Sequence, residues 1–228
     1  NMGLRHLVLV NPQCDWQGEE ARRMAVHGDD VLAAVTVVAN LPEALVGCER
    51  AIATTGRLHR QDQPLDLPEV ALPWLLPPAP EASFAAALIF GPEDRGLSND
   101  ELIYAQRWVR IPASDRYPSL NLAQAVAVCS YLLHRYALAD ALEVAFPAVE
   151  TAAVAGQSAS LDQLEGFYRD LEIILLKIGY LYPHTAASRM AKLRRLLHRA
   201  GPDGKELAML RGILRQVSWA VDNSPGQR

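Results

Sequence analysis

Short apolar runs alternate with helical patterns over the first 140 residues, and this alternation most limits what the chain can fold into. Strands are predicted over residues 6–10, 34–38, 51–54, 85–90 and 108–111. The first of them is predicted to be buried, because it is almost wholly apolar. A long helix is predicted over residues 120–136. Strand, helix and strand at this spacing are typical of a parallel sheet, so we predict an α/β fold.

The composition changes after residue 139. Residues 140–159 are rich in Ala, Val and Glu and predict a linker. Three amphipathic helical patterns follow it within residues 160–228. We therefore predict an α/β domain over residues 1–139 and a small α-helical extension over residues 160–228. Six prolines between residues 61 and 82 predict irregular structure inside the α/β domain.

The charge is unevenly distributed along the chain. Residues 1–160 carry 11 Lys and Arg against 19 Asp and Glu, a net charge of −8, whereas residues 161–228 carry 11 against 7, a net charge of +4. An acidic body with a basic tail favours a polyanionic partner that binds the tail. A solvated basic helix surface explains the same charge equally well. The candidate cations on the helical patterns of the tail are Arg189, Lys192, Arg195, Arg199, Arg211 and Arg215.

The sequence lacks the patterns of several other protein classes. Three cysteines lie far apart without zinc-ligand spacing, so we predict no metal, no disulfide framework and a reducing, cytoplasmic location. No run of about 18 apolar residues predicts a membrane span, and no signal-peptide pattern is present. The motifs GxxxxGK[ST], GxSxG and HExxH are absent, which leaves a generic nucleotide-binding protein without support.

One segment that could bind a ligand follows the predicted fourth strand. Residues 90–98 read Phe-Gly-Pro-Glu-Asp-Arg-Gly-Leu-Ser. Loops in this position of α/β sheets bind ligands, and Gly91 and Gly96 would let a ligand approach the backbone closely. Ser98 is predicted to cap a helix, with Glu101 completing a capping box. A plain connection between a strand and a helix is the alternative.

A second segment precedes the long helix. Residues 117–126 read Tyr-Pro-Ser-Leu-Asn-Leu-Ala-Gln-Ala-Val, and they place Ser119 and Asn121 at the mouth of that helix. A helix N-cap at Ser119 explains this segment when it is taken alone.

Together, in this order and about 20 residues apart, the two segments resemble motifs 2 and 3 of the SpoU branch of the SPOUT methyltransferases. The matching residues are Gly91, Glu93, Gly96, Leu97, Ser98, Glu101, Ser119, Leu120, Asn121 and Ala123. Residues 54–57, Thr-Thr-Gly-Arg, resemble a further segment of that family. Residues 161–180, 190–199 and 206–214 are similar to the C-terminal extension of the TrmJ-like tRNA methyltransferases. The resemblance covers nearly the whole chain.

The resemblance implies a SPOUT domain over residues 1–139, whose parallel α/β fold threads a C-terminal trefoil knot. Knots are rare, and the residues by themselves favour an unknotted doubly wound sheet. The resemblance also implies S-adenosylmethionine as cofactor, a homodimer, and methyl transfer to a ribose 2′-hydroxyl without a metal.

Site residues follow from the same resemblance. The expected cofactor contacts are Thr54, Thr55, Gly56, Gly91, Glu93, Gly96, Ile111, Ser119, Leu120 and Asn121. Ser119 and Asn121 would shape the site by hydrogen bonds and Glu93 would orient a neighbouring group, so these three are the candidate catalytic residues. The first motif of the family, Asn-x-Gly-x-x-x-Arg, would lie upstream of Asn1, and its arginine is the expected proton acceptor or orienting group.

The leading hypothesis is an RNA 2′-O-ribose methyltransferase that acts at position 32 in the tRNA anticodon loop. The basic row on the tail would neutralise phosphates of the anticodon stem-loop. Arg57 and Arg95 are candidates for guiding phosphate or ribose near the cofactor, or else ordinary surface residues. A SpoU-type enzyme for rRNA or another tRNA site is one alternative, and a catalytically silent RNA-binding SPOUT module is the other.

Overall fold

The computed structural model describes residues 2–56, 64–77, 84–114, 116, 117, 119–142 and 158–223. Its strands pair in parallel throughout these residues and form two sheets. The strands are β1 (Val8–Val10), β2 (Thr36–Val38), β3 (Cys48–Thr54), β4 (Leu65–Asp66), β5 (Ala85–Ile89) and β6 (Arg107–Val109). The larger sheet has the order β4-β6-β3-β5, and β1 pairs with β2 in the smaller one. The predicted parallel α/β fold is confirmed.

Helices connect and cover the strands. They are α1 (Glu19–Ala25), α2 (Asp29–Ala33), α3 (Leu41–Ala44), α4 (Pro68–Ala71), α5 (Asn99–Leu102), α6 (Leu122–Leu142), α7 (Leu161–Lys177), α8 (Pro183–Ala200) and α9 (Gly204–Asp222). A 3-10 helix over Leu72–Leu75 extends α4. The three predicted helices of the extension are thus α7, α8 and α9.

Strand β3 lies at the centre of the larger sheet and is buried on both faces. Ala51, Ile52 and Ala53 are completely inaccessible to solvent, and successive side chains of a strand point to opposite faces. Ala51 and Ala53 share one core cluster with Trp108, whereas Ile52 belongs to a second cluster with Val109. The sheet is therefore an inner layer between two sets of helices.

Helix α6 and the tail cover opposite faces of this sheet. Cys129, Leu132 and Leu133 of α6 pack in the cluster of Ile52. Buried side chains of α7 pack in the cluster of Ala51 and Ala53 instead; they are Leu161, Leu164, Phe167 and Tyr168. The first helix of the tail is thus a structural layer of the α/β body.

Two sequence predictions about the α/β body are wrong. The first strand is not buried, because Leu7, Val8 and Val10 are each at least 38% exposed and β1 pairs with β2 alone among the residues described. Residues 65–75 are not irregular, because they form β4, α4 and the 3-10 helix. Pro68 and Pro73 lie in the first turns of those two helices, where the missing amide hydrogen leaves no hydrogen bond unmade.

The structure describes only the two ends of the predicted linker, residues 140–159. Helix α6 continues to Leu142, and Ser158 forms an isolated antiparallel bridge with Asp203. Residues 143–157, the rest of the predicted linker, lie outside the described residues.

An ion pair fixes α8 against α7 and the body. The Arg194 guanidinium donates to the Glu165 carboxylate through both terminal nitrogens. It also lies 4.4 Å from the centre of the Tyr168 ring and 5.7 Å from that of Tyr104. One turn further along α8, His198 makes an edge contact with Tyr168 at 6.0 Å between ring centres. Burial, and then the nearby Arg194 charge, lower the pKa of His198 to about 4.

The neutral His198 makes the stability of this junction dependent on pH. A folded-state pKa below the ordinary value of 6.5 means that the unfolded chain takes up a proton first as the pH falls. We expect the free energy of unfolding to fall by roughly 1–2 kcal/mol between pH 7 and pH 5 through this group. His198→Gln should remove that part of the slope in denaturant unfolding, whereas His27→Gln, at an exposed histidine, should keep it. Equal slopes in the wild type and His198→Gln would contradict the assignment.

Candidate functional site

Three strand ends and the start of a helix surround one cleft. Strand β3 pairs with β6 on one side, Thr54 opposite Val109 and Ala53 opposite Trp108. On its other side it pairs with β5, Ala53 opposite Ile89. The carboxyl ends of β3, β5 and β6 therefore meet at one edge, where open α/β sheets bind ligands. The cleft there has a volume of about 180 Å³.

Most of the predicted cofactor contacts line this cleft. The lining includes Thr54, Thr55, Gly56, Gly91, Glu93, Gly96, Ile111, Ser119 and Leu120. Thr54 donates its hydroxyl hydrogen to the Ile89 carbonyl at 3.0 Å, and the Thr55 amide donates to the Val109 carbonyl at 2.9 Å. These two bonds tie the end of β3 to both neighbouring strands. Arg57 lies outside the described residues.

The loop after β5 is folded back tightly on itself. The Gly96 amide donates to the Pro92 carbonyl at 2.8 Å, and Gly96 has a φ of +66°. A Cβ at Gly91 would lie 2.3 Å from the carbonyl carbon of Gly96 and from the amide nitrogen of Leu97. No side chain fits in that gap, so the loop can keep this shape only with glycine at position 91.

A charged network holds the same loop to α5. Ser98 and Glu101 form the predicted capping box, which is confirmed. Arg95 donates to Glu101 at 2.8 Å, and the Ser98 amide donates to the same carboxylate at 2.7 Å. The hydrogen bond from Arg95 is the largest cause that lowers the pKa of Glu101 to about 2. Arg95 thus has a structural partner within the loop, although its side chain stays half exposed.

Asn121 joins the two segments that the sequence singled out. Its side-chain amide donates to the Glu93 carboxylate, and its Oδ1 accepts the Ala123 amide hydrogen at 2.9 Å. Helix α6 begins at Leu122, so Asn121 and not Ser119 precedes its first turn. The alternative that Ser119 is the N-cap is therefore wrong. Ser119 is exposed and lines the cleft instead.

Several apolar residues of the cleft were not among the expected cofactor contacts, although all but Val109 lie within the two segments that the sequence singled out. They are Phe90, Leu97, Val109, Leu122 and Ala125. Phe90 follows β5 directly and Val109 ends β6, so the rule that ligands bind at the carboxyl ends of strands was the signal that could have found them. They give the cleft an apolar surface beside its polar rim.

The predicted RNA contacts on the tail differ in their exposure to solvent. Lys192, Arg199 and Arg215 are exposed, as is Arg189. Arg195 is half-buried and lies with His198 and Trp108 around a small gap between α8 and the body.

Arg211 does not share the exposure that the sequence predicted. It donates to the Gln163 carbonyl at 2.8 Å, and it lies over Gly166, where a Cβ would come within 2.7 Å of its guanidinium. Because Gly166 has no side chain, Arg211 can lie flat against α7. Its role in the structure is to join α9 to α7.

Among the residues that the structure describes, no group of three or more His, Cys, Asp and Glu side chains is placed to hold a metal ion. No helix there is both long and apolar enough to span a lipid bilayer.

Comparison with known proteins gives matches over nearly the whole chain. Residues 1–131 match the SpoU rRNA Methylase family, and residues 162–226 match the C-terminal domain of the tRNA methyltransferase TrmJ. The tRNA (cytidine/uridine-2′-O-)-methyltransferase TrmJ of Pectobacterium atrosepticum is 39% identical over 97% of this chain and 88% of its own length. That of Klebsiella pneumoniae is 40% identical over 95% of this chain and 86% of its own.

Solved structures agree with these relatives. The crystal structure of TrmJ from Z. mobilis ZM4 superposes with a TM-score of 0.78 at 28% identity, covering 95% of this chain and 88% of that one. A probable methylase family protein from Haemophilus influenzae superposes with a TM-score of 0.56 at 28% identity, covering 97% of this chain and 87% of that one. The family match spans more than half of the chain and includes both segments of the cleft, so the chain belongs to the SpoU rRNA methylase family.

Proposed function

We propose that this protein is an S-adenosylmethionine-dependent methyltransferase that modifies a ribose 2′-hydroxyl at position 32 of the tRNA anticodon loop. The observation that carries the proposal is the Asn121–Glu93 hydrogen bond, which joins two motif segments across one cleft at the strand ends. The match of the tail to the TrmJ C-terminal domain favours tRNA as the substrate.

The cleft has the chemistry that this cofactor requires. The close return of the backbone at Gly91 keeps the main-chain groups of Gly91, Gly96 and Leu97 together along one wall of the cleft. Phe90, Leu97 and Leu122 offer apolar contact to an adenine ring. Thr54, Ser119 and the loop amides offer polar contact to the sugar and the amino-acid end. Carboxylates at Glu93 and Asp94 give the rim a charge opposite to that of the sulfonium and ammonium groups.

The protein side of the reaction is mainly alignment. Bound S-adenosylmethionine supplies an activated methyl group on its sulfonium. The chain must hold the ribose oxygen in line with that methyl group, and correct alignment alone accounts for a large part of such rate enhancements. Ser119 lies exposed at the rim, where its hydroxyl can contact the ribose. Glu93 and Asn121 are positioning residues, because each fixes the other and so fixes the loop and the helix start that flank the cleft.

The remaining features of the proposal come from family membership. We propose the trefoil knot, a homodimer, a cytoplasmic location and a reaction without metal. Exposed Val128, Tyr131 and Leu138, whose spacing places them on one side of α6, support the dimer, since exposed apolar patches mark interaction surfaces.

We propose that the exposed cations of the tail bind tRNA phosphates. Helix α8 carries five Lys and Arg and no Asp or Glu, and its Lys192 and Arg199 are exposed. Such a helix can neutralise phosphates and position a folded RNA without reading its bases.

Mapping the methyl group tests the reaction and its target together. The full-length gene product is incubated with labelled S-adenosylmethionine and unmodified tRNA transcripts, and each 2′-O-methyl group is located by nucleotide. We expect label at position 32, and none in a transcript that carries a 2′-deoxy nucleotide there, because the acceptor oxygen is then missing.

Each other outcome of this mapping has a distinct meaning. Label at another tRNA position or in rRNA would retain the methyl transfer and overturn the proposed target. Binding of the cofactor without any label in RNA would support a silent RNA-binding module and overturn the enzyme assignment.

The tight backbone packing at Gly91 predicts that substitution by alanine strongly weakens cofactor binding. Gly91→Ala places a Cβ against the backbone of residues 96 and 97, so the loop must move. The displaced loop can no longer line the cleft in its present shape, so S-adenosylmethionine affinity should fall about tenfold or more in calorimetric titration. Gly212→Ala is the matched control, because a Cβ there meets nothing within 4 Å. Equal affinity in Gly91→Ala would show that the loop does not contact the cofactor.

The Asn121–Glu93 hydrogen bond can be tested with a single variant that breaks it and a double variant that exchanges its donor and acceptor. Asn121→Asp places two carboxylates in contact, which raises the pKa of one of them. We expect weaker cofactor binding at about pH 8 and partial recovery towards about pH 5.5, where the pair can share a proton.

The double variant Glu93→Gln with Asn121→Asp restores a donor and an acceptor of nearly the same shape. It should regain most of the affinity that Asn121→Asp loses, and it should lose the pH dependence. A double variant that binds the cofactor no better than Asn121→Asp would show that the contact between the two side chains is not what holds the cleft.

A further inference from the structure

The turn between α7 and α8, together with the first turn of α8, displays three aromatic side chains that belong neither to the cleft nor to the core. They belong to Tyr180, Tyr182 and His184, which we call the aromatic turn. Tyr180 and Tyr182 are 56% and 54% exposed, and His184 is also exposed. Aromatic side chains this accessible bury little surface within the fold, so packing does not explain them.

The backbone of the turn forces the two tyrosines outward. Gly179 ends α7 with a φ of +76°, a left-handed conformation that glycine adopts at little cost. The Leu181 amide then donates to the Leu175 carbonyl at 3.0 Å, and the Leu181 side chain is only 2% exposed. Leu181 is thus anchored in the core, and its two neighbours, Tyr180 and Tyr182, face solvent.

Contacts within the turn hold the rings in place. Arg189 donates to the Tyr180 carbonyl at 2.7 Å, and its guanidinium carbon lies 5.5 Å from the centre of the Tyr180 ring. The rings of Tyr182 and His184 are stacked, with centres 6.0 Å apart and planes 24° from parallel. Thr185 donates from its amide and its hydroxyl to the Tyr182 carbonyl. Rings that are already ordered lose little conformational entropy when a ligand binds them.

The charge around the turn favours an anionic partner. The turn leads directly into α8, which has five Lys and Arg without an acidic residue. Asp222, the last residue of α9, is paired with Lys177, the last residue of α7. Aromatic faces beside a row of cations are the combination that binds unpaired nucleotides, because bases stack on the rings while phosphates meet the cations.

We propose that the aromatic turn stacks unpaired nucleotides of the substrate RNA next to the phosphate contacts of α8. This inference rests on the proposed function and deepens it, because it assigns a surface for the single-stranded part of the RNA outside the cleft. Any base can stack on a ring face. The turn would therefore favour single-stranded RNA loops over double-stranded RNA without selecting a base sequence.

Variants that keep or remove the ring faces test the proposal. The double variant Tyr180→Leu with Tyr182→Leu keeps apolar bulk without a ring, and Tyr180→Phe with Tyr182→Phe keeps both rings. Loss of two stacking faces should make the leucine variant bind an RNA hairpin of about 17 nucleotides, roughly the size of an anticodon stem-loop, at least about tenfold more weakly. The phenylalanine variant should bind it as the wild type does.

Two further measurements separate stacking from other effects. Affinity for a fully paired RNA duplex of equal length should be the same in all three proteins, because it offers no unpaired base. Lys192→Gln should instead weaken hairpin and duplex alike and reduce the salt dependence of binding by about one phosphate contact. S-adenosylmethionine affinity and the thermal unfolding midpoint check that the leucine variant is intact.

Several outcomes would overturn the proposal. They are wild-type hairpin affinity in the leucine variant, an equal loss in the phenylalanine variant, and an equal loss for the duplex. A changed molecular mass by light scattering with unchanged RNA affinity would assign the turn to contact between copies of the chain. If the wild type binds the hairpin in this way but methylates no RNA, the proposed reaction fails while the stacking surface stands.

Discussion

The fold depends on strand β3 being buried on both faces. Ala51 and Ala53 face α7, and Ile52 faces α6. The strand is therefore buried only when both helices pack against it. The small alanines on one face let α7 approach closely, and Phe167 and Tyr168 supply the volume that they lack. The same strand pairs with β5 and β6 in a register that brings three carboxyl ends together. Packing of the tail and formation of the cleft therefore depend on one strand.

Much of this arrangement could be predicted from the sequence, because it depends on local patterns. The apolar runs predicted the central strands, and the capping box at Ser98 predicted where α5 begins. Nine expected cofactor contacts line one cleft, since motif residues at strand ends are brought together by parallel pairing. The assignment of those residues to cofactor binding itself stays a prediction.

The errors concern long-range partners. The periodicity of α9 could not show that Gly166 leaves space for Arg211 on α7. The apolar pattern of β1 resembled that of a buried strand, but burial depends on which elements cover the strand, and its valines are exposed in the structure. The same limit applies to the helical extension: the sequence predicted its three helices, but only the structure shows that the apolar face of α7 covers β3.

The place of α7 in the core also determines how the tail can act. An extension on a flexible tether would raise the local concentration of RNA near the cleft but could not orient it. Here Arg194 pairs with Glu165 while lying over Tyr104 of the body and Tyr168 of α7, and the Gly47 amide donates to Asp162 at the start of α7 at 3.0 Å. These contacts tie α7 and α8 to the sheet that carries the cleft. Under the proposed function, an RNA bound to α8 would rest on a surface fixed relative to Ser119 and Asn121, and such a fixed platform favours alignment of a ribose hydroxyl with a methyl donor.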